Sequence, residues 1–153
     1  YGDRRTNNVR VSYRTSTQTP NIAQLQDVVD NTNPTQLSTG NPDLDQSYSH
    51  NLSVRFNKTS PQAGRVLIGF VSVQTTGDYV GQESLVAQQT TTLDNGIVLQ
   101  PGSQFSRPIN LDGYWNARSF MTFGTPVGFL GSNLNFNAGY RYANTPNRVT
   151  DLD

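Results

Sequence analysis

The chain has 153 residues, enough for one domain, and its formal net charge is +0 with a pI of about 6.8. A nucleic-acid surface would show a basic excess, so this balance argues against a nucleic-acid partner. The chain has no Cys, which excludes disulfide frameworks, thiolate metal sites and Cys nucleophiles. It has a single His, which leaves few residues that could bind a metal or act in catalysis.

The polarity of the chain comes from uncharged Asn, Gln, Ser and Thr, because only 14% of the residues are charged and 33% are hydrophobic. This composition is lean for a soluble core, but it suits a barrel with a wet inner face and a single apolar outer layer. The 10% of aromatic residues and the absence of net charge argue against disorder. No apolar run approaches the roughly 18 residues of a membrane helix.

The first predicted strand covers residues 8–14, where apolar and polar side chains alternate. A long polar connection rich in Pro and turn-forming residues follows over 15–46. Within it, Thr19 and Pro20 precede Ile22, Leu25 and Val29, and this spacing predicts a short capped helix.

The most compact signal is a hairpin, with strands over 47–57 and 65–75 joined by a turn at 58–64. Its second strand is apolar on both faces near its start, so periodicity does not say which face is outward. The segment 76–102 is loop-like. Short strands are expected inside it at Leu85–Ala87 and Ile97–Leu99.

A long strand is predicted over 109–123, broken only by Gly113, and a turn at 124–132 joins it to a last strand over 133–142. In that last strand apolar and polar residues alternate at every step, so one face is apolar and the other polar. If the apolar face packs onto a core, the chain is an ordinary sheet domain. If it faces lipid, the chain is outer-membrane barrel wall.

The five main strands are joined alternately by short turns and long polar loops. Outer-membrane barrels have short periplasmic turns at one end and long extracellular loops at the other, whereas soluble meanders commonly use short turns at both ends. Pattern alone leaves barrel wall and a soluble sandwich or propeller about equally supported.

Several motifs add a resemblance. Gly40-Asn41-Pro42-Asp43-Leu44 lies between a polar loop and an alternating strand with an Asn51-Leu52 pair. Six further markers accompany it: Pro20, the Gln24-Leu25-Gln26 run, Asp30-Asn31, Asn33-Pro34, Pro108-Ile109-Asn110-Leu111-Asp112-Gly113 and Phe123-Gly124-Thr125-Pro126. With these motifs, the chain resembles the barrel of TonB-dependent receptors of the outer membrane, in the form common in Bacteroidetes, from about Val9 to Pro146.

The resemblance implies an all-β fold, an antiparallel meander of amphipathic strands that forms part of a transmembrane β-barrel. Residues 1–153 are then a single, partial segment of the barrel domain, without the plug and the remaining strands. The start at Tyr1 without Met fits an excised piece or a mature N-terminus after processing. The implied localisation is the cell outer membrane. The implied partners are outer-membrane lipid, the plug domain and TonB through the full-length protein, and a surface lipoprotein.

Five arginines on the polar faces of strands are the candidate lumen-facing residues: Arg10, Arg14, Arg55, Arg118 and Arg141. They could contact carboxylates of the plug or an anionic substrate, or they could simply be solvated sheet surface.

Other single residues support only modest roles. His50 lacks a second His or a Cys as a co-ligand and is expected at a rim or surface. Turn chemistry explains Asp43, Asp45 and Asp78 as well as Ca²⁺ binding does. Trp115 and Tyr140 fit an interfacial aromatic girdle or core packing.

The sequence therefore predicts a barrel-wall segment of a TonB-dependent receptor for nutrient uptake, with no catalytic, cofactor or metal site and no enzyme activity. The alternative is a soluble, secreted all-β domain that binds a glycan or a protein. A hydrolase is the least supported, because no nucleophile, acid-base pair or metal constellation is visible.

Overall fold

The computed structural model describes residues 7–93 and 96–152, and its regular secondary structure is almost entirely β-strand. The described strands are, in chain order, β1 (Asn7–Gln18), β2 (Asp30–Asn33), β3 (Gln36–Ser38), β4 (Ser47–Ser60), β5 (Arg65–Gly77), β6 (Tyr79–Ala87), β7 (Thr91–Thr92), β8 (Val98–Leu99), β9 (Gln104–Leu111), β10 (Tyr114–Val127), β11 (Ser132–Asn144) and β12 (Arg148–Leu152). One helical turn, α1, spans Ile22–Leu25. The all-β fold class is confirmed.

The residues group into two compact units. The first comprises the described part of Tyr1–Thr15 together with His50–Thr75 and Trp115–Asn144. It is built on a five-stranded sheet with the order β1-β4-β5-β10-β11, which is the chain order of the five main predicted strands. Each of these strands has 12 to 14 residues, more than the roughly 9–11 that a tilted strand needs to cross a bilayer.

Two tight turns connect neighbouring strands of this sheet. Residues 61–64 join β4 to β5, and Gly64 there has a φ of 62° and donates its N–H to the Pro61 carbonyl at 3.3 Å. A 3-10 turn at Gly128–Leu130 joins β10 to β11 and ends at Gly131, which has a φ of 56°. Glycine suits both turn ends because it adopts positive φ without a steric penalty.

The second unit comprises Ser16–Ser49, Thr76–Tyr114 and the described part of Thr145–Asp153. Its five-stranded sheet has the order β12-β6-β9-β3-β2, and β7 and β8 form a separate two-stranded pair. A small apolar core forms around Ala87, Leu99 and Phe105. Two pairings in this sheet are parallel, β12 with β6 and β3 with β9, whereas β6 with β9 and β2 with β3 are antiparallel.

The second unit is more regular than the sequence predicts. The loop-like interpretation of 76–102 is wrong for residues 79–84, which belong to the nine-residue strand β6. The short strands expected at Leu85–Ala87 and Ile97–Leu99 are confirmed, the first as the end of β6 and the second as β8. Alternation of polar and apolar residues is weak in YVGQESLVA, so the sequence does not predict the full strand. Pairing with β9 on one side and β12 on the other stabilises it. The polar connection 15–46 likewise contains β2 and β3.

The predicted long strand over 109–123 is two strands in different sheets. Strand β9 ends at Leu111 and pairs with β6, whereas β10 begins at Tyr114 and pairs with β11. Between them Gly113 has a φ of 92°, outside the extended region, so the chain changes direction there. The glycine is therefore the boundary between two strands.

The predicted short helix exists, but it is shorter and its cap is a different residue. It begins after Asn21, which accepts the Gln24 N–H at 2.9 Å while the Gln24 side chain accepts the Asn21 N–H at 2.9 Å. This reciprocal capping box replaces the expected start at Thr19 and Pro20. Val29 lies beyond the helix end.

Candidate functional site

The five-stranded sheet of the first unit has an inverted distribution of polarity. Among the described residues, the buried hydrophobic side chains are Leu44, Ala87, Leu99 and Phe105, and all four belong to the second unit. In β5 of the first unit, Val71 and Val73 are 46% and 39% exposed while Ser72 between them is 3% exposed. A soluble sheet buries its apolar face, so this sheet is built to place its apolar face against something other than its own core.

The register of β10 and β11 shows how the two faces continue from one strand to the next. Phe123 pairs with Phe136 and Met121 with Ala138 on the apolar face. On the other face Thr122 pairs with Asn137, and the Thr122 hydroxyl donates to the Asn137 Oδ1 at 2.8 Å. The alternation predicted in 133–142 thus continues in most of the neighbouring strand. The exceptions are Ser119, which lies opposite Tyr140 on the apolar face, and Phe120, which lies opposite Gly139 on the polar face.

The same contacts assign the faces of β5, which its sequence left open. A Cβ on Gly69 would lie 2.0 Å from Phe56 Cε1, so the Phe56 ring covers Gly69 on the apolar face. On the opposite face the Asn51 amide Nδ2 donates to Ser72 Oγ at 3.1 Å. Val71 and Val73 therefore share the apolar face with Phe56.

Three of the five candidate arginines come together on the polar face. The guanidinium carbons of Arg55 and Arg118 lie 5.6 and 5.3 Å from the centroid of the Phe70 ring. Arg141 lies directly opposite Arg118 in the register. Arg10 and Arg14 lie on the exposed strand β1, which is at one end of the sheet and pairs with β4, the strand of Arg55.

The sequence analysis missed Phe70 and Ser72 as members of this face. Phe70 lies in the part of β5 where both faces look apolar, so its position shows only through its contacts with Arg55 and Arg118. Ser72 is flanked by two valines, and this local alternation is the signal that could have identified it.

Aromatic pairs lie on the apolar face of the sheet. Trp115 stacks on Tyr142 with ring centroids 4.6 Å apart. The ring centroids of Tyr13 and His50 are 6.2 Å apart and their ring planes are nearly parallel. The Tyr13 hydroxyl is 2.9 Å from His50 Nδ1. His50 is thus an exposed partner of a tyrosine, and all four rings have the amphipathic character of residues at a membrane interface.

The GNPDL motif is anchored within the second unit. A Cβ on Gly40 would lie 2.4 Å from the Gln26 carbonyl oxygen, so only glycine allows this close backbone approach. The Asn41 side chain accepts the Asp43 N–H at 3.0 Å and donates to the Pro108 carbonyl at 3.1 Å. The motif therefore packs against the second marker of the resemblance, Pro108–Gly113.

Asn110 continues this link between the two motifs. Its side-chain oxygen accepts the Asp45 N–H at 2.8 Å, and its Nδ2 lies 3.1 Å from the Asp45 carbonyl and 2.8 Å from the Asp78 carbonyl. The aspartates considered as Ca²⁺ ligands thus present backbone atoms to an amide. Among residues 7–93 and 96–152, no group of three or more His, Asp or Glu side chains could hold a metal ion.

These features define a class of protein. A sheet of long amphipathic strands with an exposed apolar face, aromatic pairs on that face and hydrogen-bonded polar residues on the other has the organisation of outer-membrane barrel wall. No described helix is long and apolar enough to cross a membrane.

Comparison with known families agrees with this class. The model of the outer membrane protein beta-barrel family matches residues 1–153, the whole chain. The chain belongs to this family, and the protein is an outer-membrane β-barrel protein. The soluble, secreted alternative is therefore not retained. No curated protein and no solved structure shows significant similarity to the chain.

Proposed function

We propose that the chain is part of the barrel wall of a TonB-dependent receptor that imports a nutrient too large for porins. The observation that carries this proposal is the inverted sheet of the first unit. In its strands β4 and β5, Leu52, Val71 and Val73 are exposed, whereas Asn51 and Gln74 are half-buried and Ser72 is buried. Such a wall places its apolar face in lipid and its polar face toward a wet lumen.

The connections between the strands support a receptor more than a simple pore. Turns of four residues join β4 to β5 and β10 to β11, whereas the connections from β1 to β4 and from β5 to β10 contain most of the second unit. A folded unit built from the long connections between strands provides the binding surface that a receptor needs. The anchored GNPDL motif adds the resemblance to TonB-dependent receptors.

The partners follow from this role. Lipid covers the apolar face, and a plug and TonB act through the full-length protein, with a surface lipoprotein as a further partner. Large transporters of this kind have about 22 strands around a plug, so the five strands here are part of a larger wall. We propose that residues 1–153 are one segment of that barrel domain and that it performs no catalysis.

The lipid assignment is tested by a matched pair of substitutions in the full-length protein. Phe136→Asp places a charge on the proposed lipid face, whereas Asn135→Asp, one residue away on the other face, does not. We expect Phe136→Asp to abolish recovery of the heat-modifiable barrel from the outer-membrane fraction, because a charge in the hydrocarbon region costs about 2–3 kcal/mol. We expect Asn135→Asp to leave this recovery unchanged. Equal recovery of both variants would contradict the lipid assignment.

The receptor assignment is tested by the complete reading frame. We expect it to encode an upstream plug with a TonB-contacting segment and further alternating strands. A reading frame with neither a plug nor more strands would contradict the TonB-dependent receptor while leaving the family membership intact.

A further inference from the structure

Charge is divided unequally between the two units. The first unit carries nine of the eleven Lys and Arg residues but only one of the eleven Asp and Glu residues, Asp3. The second unit carries the other ten acidic residues and two arginines. The formal net charge of +0 is therefore the sum of a cationic first unit and an acidic second unit, and the described residues of the first unit include no Asp or Glu.

Two of these cations face each other. Arg118 and Arg141 are directly opposite in the β10–β11 register and lie on the same face. Like charges directly opposite each other destabilise a sheet. Neither guanidinium has an ion pair or hydrogen bond to another residue of the described chain, where both recorded ion pairs involve Glu83 of the second unit. The pair lacks a counter-charge.

A polar cavity of about 180 Å³ lies beside this pair. It is lined by Asn51, Ser72, Gln74, Asn116, Arg118 and Arg141. Because the Asn51 amide already donates to Ser72 Oγ at 3.1 Å, the buried Ser72 hydroxyl keeps its own hydrogen for another acceptor. Every side chain of the lining can donate a hydrogen bond, and none is acidic.

We propose that this cavity is a binding site for a carboxylate group, held between Arg118 and Arg141. A guanidinium presents paired N–H donors that match the two oxygens of a carboxylate, and an anion between two opposed arginines removes their repulsion. Ser72 and the amides of Asn51 and Asn116 donate to the remaining lone pairs. The inference rests on the proposed function, in which this face lines the lumen.

The carboxylate can come from two sources with the same chemistry. One is an Asp or Glu side chain of the full-length protein outside this chain segment, such as a plug residue. The other is a free carboxylate solute in the lumen. Both would occupy the same donors, so the experiment separates them by asking whether the site is already filled.

The first experiment measures thermal unfolding of the full-length protein in detergent, with and without succinate at constant ionic strength. The variant Arg118→Gln/Arg141→Gln removes both charges. The matched control, Arg55→Gln, removes a cation from the same face outside the cavity. If the carboxylate is internal, the double variant lowers Tm by roughly 2–4 °C or more and succinate changes nothing in the unaltered protein. If it is a solute, succinate raises the Tm of the unaltered protein and of Arg55→Gln but not of the double variant.

A second measurement identifies an internal source directly. A photo-crosslinking amino acid at Asn116 of the assembled full-length protein should capture a peptide from outside residues 1–153 that contains Asp or Glu. Inorganic phosphate at the same ionic strength tests whether any oxyanion substitutes for a carboxylate; a larger effect of phosphate than of succinate would overturn the ligand class.

The carboxylate site is overturned if the double variant unfolds as the unaltered protein does and succinate has no effect on either. That outcome differs from failure of the proposed function, because the assembly of Phe136→Asp and Asn135→Asp is read in the membrane fraction without reference to the arginines. An assembled barrel with an unresponsive arginine pair would refute only the site.

Discussion

At the scale of single residues, the sheet depends on close packing between a glycine and an aromatic ring. The Phe56 ring lies over Gly69, where a Cβ would be 2.0 Å from Cε1. A glycine weakens a strand because it has no side chain to pack, and the neighbouring ring compensates by covering the exposed backbone. The pair is therefore expected to behave as one unit rather than as two independent positions.

We expect Gly69→Ala to lower the free energy of unfolding by about 1–3 kcal/mol, because the new methyl displaces the Phe56 ring. In a Phe56→Leu background the same change should cost less, since the clash is gone. Denaturant unfolding of the four proteins of this double-mutant cycle measures the coupling. Additive effects of the two substitutions would contradict the packing argument.

Asp30, in β2 of the second unit, offers a pH-dependent prediction. The Thr32 hydroxyl and the Thr32 N–H both donate to Asp30 Oδ1, at 2.6 and 3.0 Å, and these bonds hold the pKa of the Asp30 carboxyl below its ordinary value of 3.8. A carboxyl whose pKa is lowered by folding stabilises the fold at pH values above its ordinary pKa. This contribution is lost as the pH falls through the pKa of Asp30 in the folded protein.

We therefore expect Thr32→Val to raise the Asp30 pKa toward its ordinary value, because the side-chain hydrogen bond is the larger cause of the shift. The carboxyl carbon chemical shift, followed by NMR during titration, measures this pKa. The matched control Thr35→Val removes an equivalent hydroxyl bond, from Thr35 to Asn33 Oδ1 at 2.9 Å, and should leave the Asp30 pKa unchanged.

At the scale of elements, Glu83 joins three strands of the second unit. It lies in β6 and is directly opposite Arg107 of β9 and Arg148 of β12. Its carboxylate accepts Arg107 Nε at 2.7 Å and Arg148 Nη1 at 3.4 Å, and its side chain is only 7% exposed. Strand β12 has five residues and lies at the end of the sheet, so this ion pair is a major contact holding it in a parallel register.

We expect Glu83→Gln to loosen β12 while leaving the β6–β9 pairing in place. Because both arginines are about half exposed, solvent screening limits the loss to about 1–2 kcal/mol. Faster amide hydrogen exchange at Val149–Leu152 is the measurement. Gln82→Ala, one residue away and on the other face, should leave that exchange unchanged; unchanged exchange in Glu83→Gln would refute the role of the ion pair.

At the scale of the whole molecule, the first unit is a sheet with an exposed apolar face, and both terminal strands of the sheet, β1 and β11, are exposed along their full length. Apolar patches of this extent are rare on soluble monomers, and long unpaired edges invite pairing with other chains. In an outer-membrane barrel, lipid covers the face and neighbouring strands cover the edges.

We expect residues 1–153, produced alone, to aggregate in water and to stay dispersed in detergent micelles that cover the apolar face. Size-exclusion chromatography with and without detergent distinguishes the two states. The triple change Val71→Asn/Phe136→Asn/Tyr140→Asn, confined to that face, should increase recovery without detergent. A monomeric, soluble wild-type chain in water would contradict the assignment of the face to lipid.

The five main strands could be predicted from the sequence because period-2 alternation is a local property. In 133–142 every step carries the pattern, and in 47–57 only His50 departs from it, so strand and faces follow from neighbours in the chain. Strand β6 could not be predicted in the same way. It has weak alternation and depends on β9 and β12, which are distant in sequence.

The sequence by itself determined the long strands of the first unit, the two-faced character of those strands and the absence of disulfides. The tertiary structure decided that Gly113 separates strands of two different sheets. It also decided that Val71 lies on the apolar face while Phe70 lies beside Arg55 and Arg118. The register places Arg118 directly opposite Arg141. The reason is physical. Alternation is encoded in each strand, but register and the environment of each face arise only when strands far apart in the chain pair with one another.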